Sequence, residues 1–170
     1  MSKTAIISGA SSGVGAATAQ KFIDLGYTVV NIARRKSPVG NVINVSADLS
    51  TEEGAQYAAA QAAEAITAGG VVALLHNASL MLKDSVHDCS SDDLMRVLAV
   101  NVGAVNTLNR ELLPHMSAGS SVIYVGSTLS EKAVAGAHSY VISKHAQLGQ
   151  MRAAPQDAPR ACGSRCPKTP

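Results

Sequence analysis

The sequence predicts an α/β protein built on a doubly wound parallel sheet, and three observations carry that prediction. Short apolar runs rich in Val, Ile, Leu and Ala alternate with longer stretches of helical character. The aromatic residues are only Phe22, Tyr27, Tyr57, Tyr124 and Tyr140, with no Trp. The core must therefore be aliphatic, as it is where helices cover both faces of a buried sheet. A glycine-rich turn, Gly9 to Gly15, lies between the first apolar run and the first helical stretch. In doubly wound sheets the ligand crevice forms there, outside the carboxyl ends of the strands.

In chain order, Thr4–Ser8 reads as a buried strand that breaks at Gly9. Residues 16–25 have helical character, with Phe22 and Leu25 three apart, and stop at Gly26. Tyr27–Ala33 is a second strand, β-branched and apolar, followed abruptly by Arg34-Arg35-Lys36. Asn41–Val45 is the third. Ser50 and Glu53 have capping-box spacing and open an Ala-rich helix that Gly69-Gly70 ends. Val71–Leu75 is the fourth strand. Ser90-Ser91-Asp92-Asp93 offers another cap, and a long helix runs from it towards Met116 with Pro114 in its last turn. Ser121–Val125 is the fifth strand, and a helix carrying Tyr140 follows it. No internal repeat is present.

A chain of 170 residues is enough for one sizeable core. Its formal charge of +2 is unevenly placed. Residues 1–151 hold 10 Lys+Arg against 11 Asp+Glu, and residues 152–170 hold four against one. No basic face interleaved with aromatics is visible, so nucleic acid is not an expected partner. No apolar run has the length of a membrane span, and the N-terminus lacks a signal-peptide pattern, so a membrane is not expected either. Cys89, Cys162 and Cys166 follow no disulfide or metal spacing, which fits a reducing compartment and a cytoplasmic location. Cys162 and Cys166 are too few for a metal site, so no metal is expected.

Four groups of residues carry chemistry. In Ser8-Gly9-Ala10-Ser11-Ser12-Gly13-Val14-Gly15 the glycines permit a tight turn and close approach, and the helix behind offers free N–H groups and a positive dipole end to phosphate. Ser11, Ser12 and Val14 belong to that turn. A ribose 2′-hydroxyl calls for an acidic residue at the end of the second strand, and a 2′-phosphate for arginine. The strand here ends in Arg34-Arg35, which favours NADP(H), with NAD(H) the second choice. Asp48-Leu49, after the third strand, could set a carboxylate near an adenine amino group or could simply be a loop ahead of a helix cap. Tyr140 and Lys144, four apart on a helix, place a phenol beside an ammonium. A fixed cation favours the phenolate and makes a tyrosine a usable acid and base.

Taken together these residues resemble the classical short-chain dehydrogenases/reductases, a Rossmann-like family, from Met1 to about Met151. The likeness covers Gly9, Gly13 and Gly15, Asp48, His76-Asn77-Ala78-Ser79, Asn101, Ser127, and Tyr140 with Lys144. The resemblance implies hydride transfer between a nicotinamide cofactor and a carbonyl or secondary alcohol. Tyr140 would be the acid or base, Lys144 would lower its pKa and hold the nicotinamide ribose, and Ser127 would hydrogen-bond the substrate oxygen. Asn101 would anchor a water that relays protons from Lys144, and Asn77 and Ala78 would line the cofactor site. It further implies a small-molecule substrate and a homodimer or homotetramer joined through the two long helices. The residues alone leave open that Asn101 bonds locally, that Ser127 caps a loop and that Lys144 is a surface charge. The family usually has Asn-Asn-Ala-Gly where this chain has His76-Asn77-Ala78-Ser79. His76 is expected to be packed or hydrogen-bonded and not part of the mechanism.

From Arg152 to Pro170 the composition changes: four of six prolines, two of three cysteines, and no Val, Ile, Leu or aromatic residue. Two regions are therefore expected, a partial dinucleotide-binding domain over 1–151 and a disordered, non-native tail over 152–170. The sheet would be incomplete at its C-terminal edge and any activity impaired by truncation. A non-catalytic nucleotide-binding protein, or an inactive fragment of a longer reductase, is the alternative.

Overall fold

Five short strands pair in parallel in the order β3-β2-β1-β4-β5 in the computed structural model, which describes residues 2–157. They are β1 (Lys3–Ser8), β2 (Thr28–Ala33), β3 (Val42–Ser46), β4 (Val71–His76) and β5 (Ser121–Tyr124). The central three read as unbroken apolar runs because both of their faces are covered. Ile6 pairs with Val30 on one side and Leu74 on the other, and all three are fully buried.

Successive side chains leave the sheet on opposite faces, and two cores result. Ile6, Val30, Ile32, Val72 and Leu74 point one way, onto helix α2 (Glu52–Ala63) and helix α4 (Ala104–Leu112). Ala55, Ala58, Ala59 and Ala62 of α2 recur with helical spacing on its buried face, so its backbone approaches sheet and α4 closely. Ala5, Ile7, Val29, Ala73 and Leu75 point the other way, onto helix α1 (Gly13–Asp24) through Ala19, Phe22 and Ile23.

Three features differ from the sequence expectation. Helix α2 is capped by Thr51, whose hydroxyl accepts from Gly54 N at 3.0 Å. Ser50 lies one residue before the cap, with its N–H turned back to Asp48 Oδ1 at 2.9 Å. The expected long helix is three segments: α3 (Ser91–Leu98), a π-helical stretch Ala99–Gly103, and α4. Its cap is as expected, with Ser90 accepting from Asp93 N at 3.1 Å, and the turn holding Pro114 is a 3₁₀ turn, Leu113–His115.

The third difference is at the end. Helix α5 runs from His138 to Asp157, so winding continues six residues beyond Met151, through Pro155. Arg152, Ala153 and Ala154 are strong helix formers, and propensity does not need a sheet to pack on. The expectation of disorder from residue 152 is corrected over 152–157, and its remainder, with Cys162 and Cys166, lies outside the described residues. Among the described residues no helix is long and apolar enough to cross a membrane.

Candidate functional site

A cleft of about 790 Å³ opens at the carboxyl ends of β1, β2, β3 and β4, within the usual range of ligand sites, about 300–1,000 Å³. Gly9, Ser11, Ser12, Val14 and Gly15 form one wall, and Ile32 to Arg35 and Ala47 to Ser50 form another. Asn77 to Leu80, Arg96 and Val100 close it. The cleft thus gathers every residue of the expected nucleotide end except Gly13, which starts α1 at φ +55° with open space around it. Ser12, the N-cap of α1, makes no side-chain cap bond, so it leaves the first N–H groups of the helix untaken.

The turn is held close by what lies beneath it. Gly9 has φ +78°, and a Cβ there would sit 2.9 Å from Ala78 Cα. A Cβ on Gly15 would collide with the Gly9 carbonyl. Asn77 Nδ2 donates to Ser8 O and Gly9 O at 3.1 and 2.9 Å. The Ser8 hydroxyl accepts from the N–H groups of both Asn77 and Ala78 at 3.0 Å. Asn31, fully buried in β2, accepts from Ala10 N at 2.9 Å and donates to Arg35 O at 3.1 Å and Asn44 Oδ1 at 3.0 Å. One side chain therefore ties the glycine turn to the arginine loop. Hydrogen bonds from Ser50, the main-chain one first, hold the Asp48 carboxyl below its ordinary range, and the Arg34 charge adds to this.

Asn101, Ser127, Tyr140 and Lys144 do not line this cleft; they gather around α5. Asn101 is fully buried within the π turn. Its Oδ1 accepts from Leu80 N at 2.7 Å and from the Ser79 hydroxyl at 3.3 Å. Its Nδ2 donates to Leu80 O and to the Ser143 hydroxyl, each at 2.9 Å, and Ser143 in turn donates to Tyr140 O at 2.8 Å. Asn101 therefore bonds across the fold and not locally, and in doing so joins the cleft wall to the helix that carries Tyr140.

Ser127 caps the 3₁₀ turn Thr128–Ser130. Its hydroxyl accepts from Leu129 N at 3.1 Å, which leaves its own proton to donate elsewhere. Lys144 is no surface charge: it is 2% exposed, and its ammonium donates to Val125 O at 3.0 Å and Gln147 Oε1 at 2.9 Å. Burial lowers its pKa from the ordinary lysine value. The ammonium stands 5.6 Å from the centre of the Tyr140 ring. Asp84 accepts from Ser139 N at 3.1 Å and so holds the start of α5, and hydrogen bonding from Ser139 keeps its carboxyl below the ordinary range.

His76 is packed, as expected. It is 1% exposed, its Nε2 lies 2.8 Å from Asn109 Oδ1, and Asn109 Nδ2 donates to the Tyr124 hydroxyl at 2.9 Å. Burial pushes its pKa down from 6.5 to about 4. Between those values the unfolded chain binds a proton that the folded chain refuses. The stabilisation is complete above pH 6.5 and lost as pH falls through 4, by roughly 3 kcal/mol. Urea unfolding at pH 7 and pH 4.5 is therefore expected to show a steeper loss of stability for the parent chain than for His76→Asn.

Ser8, Asn31, Ser143, Gln147 and Arg96 were not picked out by sequence reasoning. For Ser8 and Asn31 a signal existed, a polar residue inside an otherwise apolar strand. For the others there was none. Among the described residues no group of three or more His, Cys, Asp or Glu could hold a metal.

The family model for short chain dehydrogenases matches residues 3–161. The short chain dehydrogenase ausX of Penicillium brasilianum is 33% identical over 152 residues, covering 85% of this chain and 58% of that protein. A short-chain dehydrogenase from Streptomyces avermitilis superposes with TM-score 0.84 at 24% identity, covering 95% of this chain and 62% of that one. A Beutenbergia cavernae protein, assigned as an NAD(P)-dependent gluconate 5-dehydrogenase with NADP bound at low occupancy, superposes with TM-score 0.79 at 28% identity. That match covers 91% of this chain and 66% of the other. The chain spans about three fifths of the length of the curated relatives it matches.

Proposed function

The chain belongs to the short-chain dehydrogenase family, and on that premise we propose that its site serves an NADP(H)-dependent oxidoreductase that interconverts a carbonyl and a secondary alcohol. The observation that carries the chemistry is the buried Lys144 ammonium, 5.6 Å from the centre of the Tyr140 ring. Tyr140, with that cation beside its ring, gives its proton to the carbonyl oxygen during reduction and takes it back during oxidation. Ser127, whose lone pair is engaged by Leu129 N, donates its proton to the same oxygen and steadies the charge that develops on it. Asn101 holds the turn of α5 that carries Tyr140 through Ser143.

The cleft fits a dinucleotide on physical grounds. A Cβ would fill the cradle at Gly15, and the start of α1 suits phosphate. Gly9, Ser11, Ser12, Val14 and Gly15 would hold the pyrophosphate; Asp48 and Leu49, with Asn77 and Ala78, would flank the adenosine. Tyr140 and Lys144 would meet the nicotinamide ribose. When bound, the cofactor supplies or accepts the hydride. Arg34 and Arg35 at the end of β2 favour a 2′-phosphate. A small-molecule carbonyl or alcohol is the partner, and association as a homodimer or homotetramer is consistent with the family.

A thermal shift with each cofactor tests the binding half. NADPH is expected to raise the melting temperature more than NADH. Arg34→Ala with Arg35→Ala is expected to weaken NADPH binding about tenfold or more while leaving NADH unchanged. A larger shift with NADH in the parent chain would overturn the NADP(H) assignment. Binding without carbonyl-dependent NADPH consumption would favour the second reading, a non-catalytic nucleotide-binding protein.

A further inference from the structure

Lys144 is buried, and among the described residues no Asp or Glu lies within ion-pair distance of it. Its recorded partners are Val125 O at the end of β5, Gln147 one turn along α5, and the Tyr140 ring. Gln147 is itself 2% exposed, and both ends of its amide are used. Oε1 accepts from the ammonium at 2.9 Å, and Nε2 donates to the main-chain oxygen of Asn101 at 3.3 Å. Three residues on, Gln150 Nε2 donates to Val102 O at 3.0 Å. Two glutamines of one helix thus grip successive carbonyls of the π turn, but only Gln147 also holds the lysine.

We propose that Gln147 is the positioning residue of Lys144, an amide bridge that fixes the ammonium between the Tyr140 ring and the π turn without relaying a proton. The proposal rests on the role given to Lys144 above. A hydrogen bond to an ammonium is charge-assisted and short, so it restrains a long side chain effectively. An amide passes a proton from its nitrogen to its oxygen only by becoming an imidic acid. Gln147 thus links Lys144 to Asn101 O through a group that holds and does not conduct.

The test follows Lys144 itself. The full chain is labelled with [ε-¹³C]lysine, and the Lys144 resonance is identified by its loss in Lys144→Arg. Gln147→Glu keeps the acceptor and adds a charge, so the Lys144 midpoint should rise by about 1–3 pH units. Gln147→Leu, close in volume, removes the acceptor and should lower it. Gln150→Leu breaks the neighbouring grip and should leave it unmoved. A midpoint indifferent to both Gln147 variants, or shifted as far by Gln150→Leu, would overturn the proposal. Should Gln147→Leu fail to fold, the isosteric Glu variant decides alone. The readout needs no turnover: a chain that reduces no carbonyl would count against the enzymatic reading and leave the bridge standing.

Discussion

Tyr140→Phe is expected to reduce carbonyl-dependent NADPH consumption about 100- to 10,000-fold while keeping most of the NADPH-induced thermal shift, since only one of the proposed contacts to the nicotinamide ribose is lost. The substitution removes one hydroxyl and keeps the ring. That ring contributes the contact with the Lys144 ammonium, 5.6 Å from its centre, so the helix and the lysine keep their places. What is lost is the one group proposed to exchange a proton with the substrate oxygen. Ser127 cannot replace it, because an aliphatic hydroxyl stabilises an oxyanion by hydrogen bonding and is a far weaker acid than a phenol. A loss smaller than about tenfold would remove Tyr140 from the role of acid and base.

Gly15→Ala is expected to abolish the cofactor-induced thermal shift and to lower stability by about 1–3 kcal/mol. The new methyl would meet the Gly9 carbonyl well inside contact distance and Asn77 Nδ2 at 2.5 Å. The first obstacle is backbone, and the second is the side chain that holds Ser8 and Gly9 in place. Neither can swing aside as the tip of a long chain could, so the turn itself must open. Gly13→Ala makes the informative comparison. Nothing lies within 4 Å of its would-be Cβ, but its φ of +55° disfavours a side chain, at a cost of about 1–2 kcal/mol. That variant should be less stable and still bind. Urea unfolding and cofactor titration of the two proteins separate crowding from backbone strain.

Much of this was legible in the sequence. Three of the five strands declared themselves because β1, β2 and β4 are buried on both faces and so lack polar alternation. The glycine turn and the arginine pair were legible because their chemistry is local, and the cleft gathers them with Asp48, Leu49, Asn77 and Ala78. What could not be read depends on partners distant in the chain. The pairing of Lys144 with Tyr140 is legible, but its burial against Val125 O at the end of β5 is not. Ser143 and Asn101 are 42 residues apart, and only the fold shows that one bonds the other. That Thr51 and not Ser50 caps α2 follows from the helix starting at Glu52, which the spacing of Ser50 and Glu53 does not reveal. At Arg152, Ala153 and Ala154 helix propensity outweighs the proline-rich composition of the segment.

The π turn Ala99–Gly103 has one more consequence, and it concerns phase. In an α-helix each residue advances the winding by about 100°. The wider turn lets Asn101 face α5 while Leu108 and Leu112, further along the same rod, still face the sheet. Deleting a single residue between 99 and 103 would restore regular pitch and rotate one end of the rod against the other. Either the leucines would leave the core or Asn101 would turn away from Ser143. The five-residue turn thus works as a fixed offset between two shafts, one keyed to the core and the other to the helix of Tyr140 and Lys144.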